Sequence, residues 1–278
     1  LPKSVHIPKT RPHFLHFSSS VPIFPLPTIN YSMNSSIFRT LFLAFGLVLS
    51  TSLSAQTFDP ALFKDLAPRN IGPAGMSGRV TSIDARHDDP RHIIIGTASG
   101  GVWKSTSGGI NWKPVFDDQP TQSVGAVAID QLNTDLVWAG TGEGTPRTSP
   151  TSGGGRDKSL AGGENWTLMG LENTKTIHRI IVHPRNSDVV YAAAMGSAWG
   201  PNPERGVYKT TDGGANWEQI LFNNDTTGCA DLVIDPQNPI KLIAAMWQFH
   251  REPYFFTSGG PGSGLYVTLD GGKTWKKR

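Results

Sequence analysis

The chain has 278 residues, of which 31 are Gly and 21 Pro, with only 17% charged side chains and a single cysteine, Cys229. One thiol excludes a disulfide framework, and a charge-poor, glycine-rich composition with 8 Trp suits many short strands joined by tight turns. The formal charge of +3 gathers at the ends, in Lys3, Lys9, Arg11 and Arg39 and again in Lys276, Lys277 and Arg278, so the stretch between is nearly balanced and carries no nucleic-acid footprint.

Residues 1–32 are rich in Pro, Ser and His and have the composition of a disordered tail. They are read as an upstream, non-native extension, with Met33 as the true start. Residues 33–55 then form a secretory signal peptide: Arg39, an apolar run from Leu41 to Leu49, and small residues up to a cleavage point after Ala55. The apolar run is too short for a membrane span, which needs ~20 residues. The expectation is a secreted, periplasmic or cell-surface protein with no membrane span in the mature chain.

From residue 56 onward one unit recurs. Ser105-Thr-Ser-Gly-Gly-Ile-Asn-Trp112 returns as Ser159-Leu-Ala-Gly-Gly-Glu-Asn-Trp166, Thr210-Thr-Asp-Gly-Gly-Ala-Asn-Trp217 and Thr268-Leu-Asp-Gly-Gly-Lys-Thr-Trp275. A period of this length marks stacked units that cannot bury their apolar faces alone. Each unit opens with a strand (residues 78–84, 124–130, 178–183 and 230–235). A turn and an apolar strand follow (92–96, 136–139, 189–193 and 241–245). A third strand such as Gly206-Val-Tyr-Lys209 leads into the Gly-Gly turn, and the tryptophan starts a fourth. Four short antiparallel strands per repeat predict an all-β fold, a β-propeller with about four four-stranded blades over 56–278. Arg278 falls three residues after Trp275, so the propeller is expected to be partial, completed by further blades of a longer protein.

The repeated turn has a structural task. Asp212 and Asp270 can accept hydrogen bonds from backbone N–H groups of their own turns, the glycines take angles that other residues avoid, and the tryptophans bury against a neighbouring blade. Ser107 and Ala161 stand in the aspartate position of the first two turns. In the second repeat the third strand is Gly155-Arg-Asp-Lys158, two charges where an apolar pair belongs, so either that blade is locally frayed or the sequence is faulty there. Alternating carboxylates and a terminal Glu are missing, so the turn is no calcium loop. His87, His92, His178, His183 and His250 have no metal-ligand spacing, and no metal or cofactor is expected. Gly140-Thr-Gly-Glu-Gly144 opens no helix and is no dinucleotide fingerprint, and Cys229 is read as a buried small side chain.

The pattern Ser/Thr-x-Asp-Gly-Gly-x-Thr-Trp resembles the Asp-box, or bacterial neuraminidase repeat, of sialidases, xyloglucanase-type hydrolases, photosystem assembly factors and the sortilin ectodomain. Residues 70–79, 139–144, 199–206 and 258–264 extend the resemblance to large secreted bacterial proteins with a sortilin-type N-terminal propeller, often grouped with glycosyl hydrolases on the repeat alone. Xyloglucanase-type enzymes carry a catalytic aspartate in Asp-x-Gly-Gly-Ala-Tyr, and the matching stretch here begins with Ala98. No separate motif supports the arginine cluster and tyrosine nucleophile of a sialidase.

In a propeller the Gly-Gly turns share one face, and the links between second and third strands open on the other. Three of those links are long: 142–155, 195–204 and 247–262. They are expected to bring Glu143, Arg147, Trp199, Glu204, Arg205, Trp247, His250, Arg251, Tyr254 and Phe255 to one surface, where long loops on a rigid scaffold concentrate function. Aromatic faces with charges between them suit a peptide, protein or glycan ligand. The alternative for these residues is a packed lid. A glycoside hydrolase is the second function considered, with Glu143, Glu204 or Glu252 as its carboxylates, and an assembly factor gripping a protein partner is the third.

Overall fold

The computed structural model describes residues 79–145 and 150–278. Among these residues seventeen strands form four sheets, each a meander in chain order. Blade 1 holds β1 (Val80–Ala85), β2 (Ile93–Thr97), β3 (Val102–Ser105) and β4 (Lys113–Pro114). Blade 2 holds β5 (Val124–Ile129), β6 (Val137–Thr141), β7 (Arg156–Ser159) and β8 (Thr167–Leu168). Blade 3 holds β9 (Ile177–His183), β10 (Asn186–Ala194), β11 (Gly206–Thr210) and β12 (Glu218–Leu221). Blade 4 holds β13 (Thr227–Ile234), β14 (Leu242–Arg251), β16 (Gly264–Thr268) and β17 (Lys276–Lys277), with the extra strand β15 (Phe256–Ser258) paired to β14.

The strands lie where the sequence puts them because the inner ones are buried on both faces. Every residue of β5 and β6 is buried, which matches their continuous apolar runs. Three apolar layers form. One, around Ile94, Phe116, Val124 and Val137, joins blades 1 and 2. One, around Trp138, Ile180, Ala192 and Tyr208, joins blades 2 and 3. One, around Tyr191, Val207, Leu232 and Leu242, joins blades 3 and 4.

The repeated turn is built alike each time. In all four, the Ser or Thr that ends the third strand accepts a hydrogen bond from the second glycine's N–H: Ser105 from Gly109 and Ser159 from Gly163 (both 2.9 Å), Thr210 from Gly214 and Thr268 from Gly272 (both 3.0 Å). Asp212 Oδ1 accepts from Asn216 N, and Asp270 Oδ1 from Thr274 N, each at 2.9 Å. Ser107 keeps that bond through its hydroxyl, which accepts from Asn111 N at 2.8 Å; Ala161 has no side-chain acceptor for it. These donors hold the Asp212 carboxyl at about 2, the Asn216 N–H acting most strongly.

Both glycines of each turn have positive φ, for example 67° and 100° at Gly213 and Gly214, so Gly is required there. The first glycine's N–H also donates to a carbonyl in or beside its own blade's first turn, as Gly213 does to Asp188 O at the start of β10 (2.9 Å) and Gly271 to Ile240 O (2.8 Å). The Gly-Gly turns therefore share one end of each blade with the first turns, and the links between second and third strands open at the other end.

Each tryptophan after the first packs on the preceding blade, and the fourth strand begins one residue after it. Trp166 Nε1 donates to Val115 O at 2.6 Å, and its ring meets Phe116 edge-on at 5.1 Å. Trp217 meets Trp138 edge-on at 6.1 Å, and Trp275 packs into the layer between blades 3 and 4. Lysines add a cross-blade tie: Lys158 Nζ donates to Gly213 O at 2.8 Å and Lys209 Nζ to Gly271 O at 2.9 Å.

Two expectations about strands need correction. β7 is not frayed. Its main chain pairs with β6 and β8, and Arg156 is buried with its guanidinium 3.6 Å from the Trp217 ring centroid. It donates to Met169 O and, at 3.4 Å, to Gly214 O. Burial lowers its pKa to about 9, while burial raises that of Asp157, which stands where Trp103 and Tyr208 stand in blades 1 and 3, to about 6. Half of the 247–262 link is strand as well. β14 continues to Arg251 and turns back through Pro253-Tyr254 into β15, with Glu252 and Phe255 exchanging N–H···O bonds of 2.8 and 3.3 Å.

Candidate functional site

The links between second and third strands lie on the face opposite the Gly-Gly turns, and the β14–β15 hairpin stands there. Alternation puts Trp247, Phe249, Arg251, Phe256 and Ser258 on one side of it. Trp247 stacks on Phe249 (4.8 Å, 26°), meets Phe256 at 5.8 Å and 73°, and donates from Nε1 to Ser258 Oγ at 3.1 Å. Phe249 is buried, whereas Trp247 and Phe256 are half-buried. The Arg251 guanidinium lies 5.6 Å from the centre of the Phe256 ring. No carboxylate among the described residues pairs with it, and its Nε is buried with no hydrogen-bond partner. His250 and Glu252 pair at 3.4 Å near the turn, where Tyr254 is 99% and Phe255 66% exposed.

The neighbouring link of blade 3 docks on the hairpin. Arg251 N donates to Ala198 O at 2.8 Å and Phe249 N to Thr226 O at 3.1 Å. Trp199, in that link, is 42% exposed. Arg205, expected on this surface, is instead wholly buried beneath it. Its Nη1 donates to Thr226 O (2.9 Å), its Nη2 to Ser197 O and to Gly200 O (3.2 Å), and the guanidinium lies 4.6 Å from the centre of the Phe249 ring. Burial lowers its pKa to about 10. A guanidinium bonded to three loop carbonyls shapes the link and is inaccessible to a ligand, so Arg205 is a framework residue.

The three candidate carboxylates fall on different elements. Glu143 is buried and ion-paired with Arg79, tying blade 2 to blade 1. Glu204 accepts from Asn202 Nδ2 at 2.6 Å, and Glu252 faces His250 on the hairpin. Arg147 lies outside the described residues, as do residues 1–55 with the expected extension and signal peptide. Near the axis, a cavity of about 340 Å³ is lined by inner-strand residues including Ile83, Asp84, Arg179 and Val233, and Arg179 Nε donates to Asp231 Oδ1 at 2.8 Å. Cys229 is buried, and burial raises its thiol pKa. Among the described residues no group of His, Cys, Asp or Glu could hold a metal ion, and no helix is long and apolar enough to cross a membrane.

Sequence reasoning missed Phe249 and Gln248. Gln248 holds the hairpin base, donating from Nε2 to Thr226 Oγ1 (3.2 Å) and accepting from Gly262 N (3.0 Å). The signal was present: Trp247-Gln-Phe-His-Arg251 alternates with period two.

Four meandering blades joined by aromatic layers and repeated Gly-Gly turns make this a β-propeller. Residues 158–278 match the Sortilin-Vps10 family model, described as sortilin, neurotensin receptor 3. A xyloglucanase from Paenibacillus sp is 22% identical over 233 residues, covering 74% of this chain and 22% of its own length. Among solved structures, an ancestral GH74 enzyme superposes with a TM-score of 0.56 at 21% identity, over 72% of this chain and 24% of its own. The GH74 enzyme of Niastella koreensis gives 0.53 at 20% identity, over 71% and 29%. The chain spans less than a third of each of these proteins, and at these identities the likeness is one of fold.

Proposed function

We propose that this propeller is a binding module for a peptide or glycan, with the ligand seated on the face made by the β14–β15 hairpin and the blade 3 link carrying Trp199. The observation that carries this reading is the hairpin's aromatic side. Trp247 and Phe256 remain half-buried there beside Arg251, a guanidinium without a carboxylate partner among the described residues. Aromatic faces supply stacking area at low conformational cost, and an unpaired guanidinium supplies charge-assisted hydrogen bonds. Rigid strands position both, and Arg205 braces them from beneath. Export through residues 33–55 accords with such a role outside the cell.

The hydrolase alternative draws on the GH74 likeness. An inverting pair needs two carboxyl groups across one bond, whereas Glu143 is tied to Arg79 and the position matching the expected catalytic aspartate is the buried Ala98. A glycan array and a displayed peptide library, each probed with the chain and with Trp247→Ala, test the proposal. Selective binding to either, lost in the variant without a fall in melting temperature, is the expected result; release of reducing ends from xyloglucan, with no retained ligand, would overturn it in favour of the hydrolase.

A further inference from the structure

Among the described residues the hairpin ends in a strand edge that no other strand pairs. The Glu252–Phe255 exchange of two bonds fixes the register of β14 and β15. In an antiparallel pair, hydrogen-bonded and non-hydrogen-bonded positions alternate. Arg251↔Phe256 and Phe249↔Ser258 are therefore non-bonded pairs, and His250↔Thr257 a bonded one. The other strand agrees with this phase: Arg251 N and Phe249 N turn away from β15 and donate to Ala198 O and Thr226 O, and Gly259 N donates inward to Gln248 O at 2.9 Å. By the same alternation the N–H and C=O groups of Phe256 and Ser258 point outward, away from β14. No strand pairs with β15 on that side among the described residues, and Thr257 and Ser258 are exposed.

Such an edge is a template for another extended backbone. The side chains around it narrow the choice. Arg251 reaches over the Phe256 ring towards β15, and Trp247 leans the same way, with its Nε1 on Ser258 Oγ. A strand lying beside β15 would meet one cation without a described partner and one aromatic surface. We infer that β15 takes an extended, acidic peptide segment as an added strand. Main-chain bonds form at Phe256 and Ser258, a peptide carboxylate pairs with Arg251, and an apolar side chain packs by Trp247 and Phe256. The inference rests on the binding-module reading above and narrows its ligand to peptide.

The test uses the full chain and a phage-displayed library of random dodecapeptides, followed by synthetic copies of the selected sequences. Enriched peptides should alternate apolar residues and carry Asp or Glu. Ser258→Pro removes the outward N–H while leaving the inward bonds at Thr257 and Gly259, and proline is tolerated on an edge strand. It should weaken binding about tenfold, the scale of one main-chain hydrogen bond. Ser258→Ala, which loses only the hydroxyl bonded to Trp247, is the reference for that loss, and Ser258→Pro should bind more weakly than it. As a check that leaves the protein untouched, N-methylating alternate peptide residues should abolish binding in one phase and spare it in the other. Equal binding by Ser258→Pro and wild type, or by both methylated phases, would overturn strand addition. No enriched peptide, with a Trp247-dependent glycan on the array, would overturn it too while leaving the binding module standing.

Discussion

Replacing Gly214 by Ala tests how the blades are locked. Gly214 has φ +100°, and a Cβ there would sit 2.6 Å from Trp138 Cη2 and 3.3 Å from its Cζ3. Trp138 is fully buried between blades 2 and 3 and already meets Trp217 edge-on, so its ring has no room to swing away. Two costs add. A non-glycine residue at positive φ costs ~1–2 kcal/mol, and overpacking a filled core typically costs ~1–3 kcal/mol more. Gly108 provides the control: its φ is +68°, and a Cβ there would meet nothing within 4 Å, so Gly108→Ala carries only the first cost. In thermal unfolding, Gly214→Ala should melt below Gly108→Ala by about 2–4 °C for each kcal/mol of difference. Adding Trp138→Phe to Gly214→Ala should recover part of the loss. Equal melting temperatures for the two glycine variants would refute the claim that the turn's second glycine is required by contact with the preceding blade.

Arg156→Val, which copies Val102 and Val207 of the neighbouring blades, should raise the melting temperature at pH 7, because burial disfavours the charged guanidinium; a lower value would mean that its bonds to Met169 O and Gly214 O dominate. Asp157, raised to about 6 by burial, should let the wild type gain stability as pH falls from about 6 towards ~4. Asp157→Asn should therefore out-melt wild type at pH 8 and lose that advantage near pH 4. Asp212, held at about 2, contributes in the opposite sense: its stabilisation is present above ~4 and is lost as pH falls through about 2, so melting curves of wild type and Asp212→Ala should converge over that window. If residues 33–55 are a leader, N-terminal sequencing of exported protein should begin at Gln56.

The fold was legible because its causes are periodic. Four Gly-Gly-x-x-Trp turns and the alternating or continuous apolar runs between them follow from burying both faces of each blade, and strand limits agree within a few residues except at β14, which runs on to Arg251. The candidate site was less legible. Arg205 looked like a surface cation in a Pro- and Gly-rich link, and nothing local reveals that Phe249 and three carbonyls close around it. The hairpin was hidden by the expectation that a blade's second strand ends near Ala245, although Trp247, Phe249 and Arg251 already alternate. Charged Arg156-Asp157 misled in the other direction, since backbone pairing and a tryptophan ring from the next blade hold that strand regardless of its polarity.

On the proposed reading the Gly-Gly turns are a structural face and the β14–β15 hairpin is the binding face. The most direct test measures ligand affinity and melting temperature together for Arg251→Ala, Trp247→Ala and Asp212→Ala in the full chain, using whichever array glycan or displayed peptide the wild type retains. The two hairpin variants should lose affinity with little change in melting temperature, and Asp212→Ala should melt earlier while binding as wild type does. Unchanged affinity in both hairpin variants, or lost affinity in Asp212→Ala at a wild-type melting temperature, would contradict the assignment of the working face.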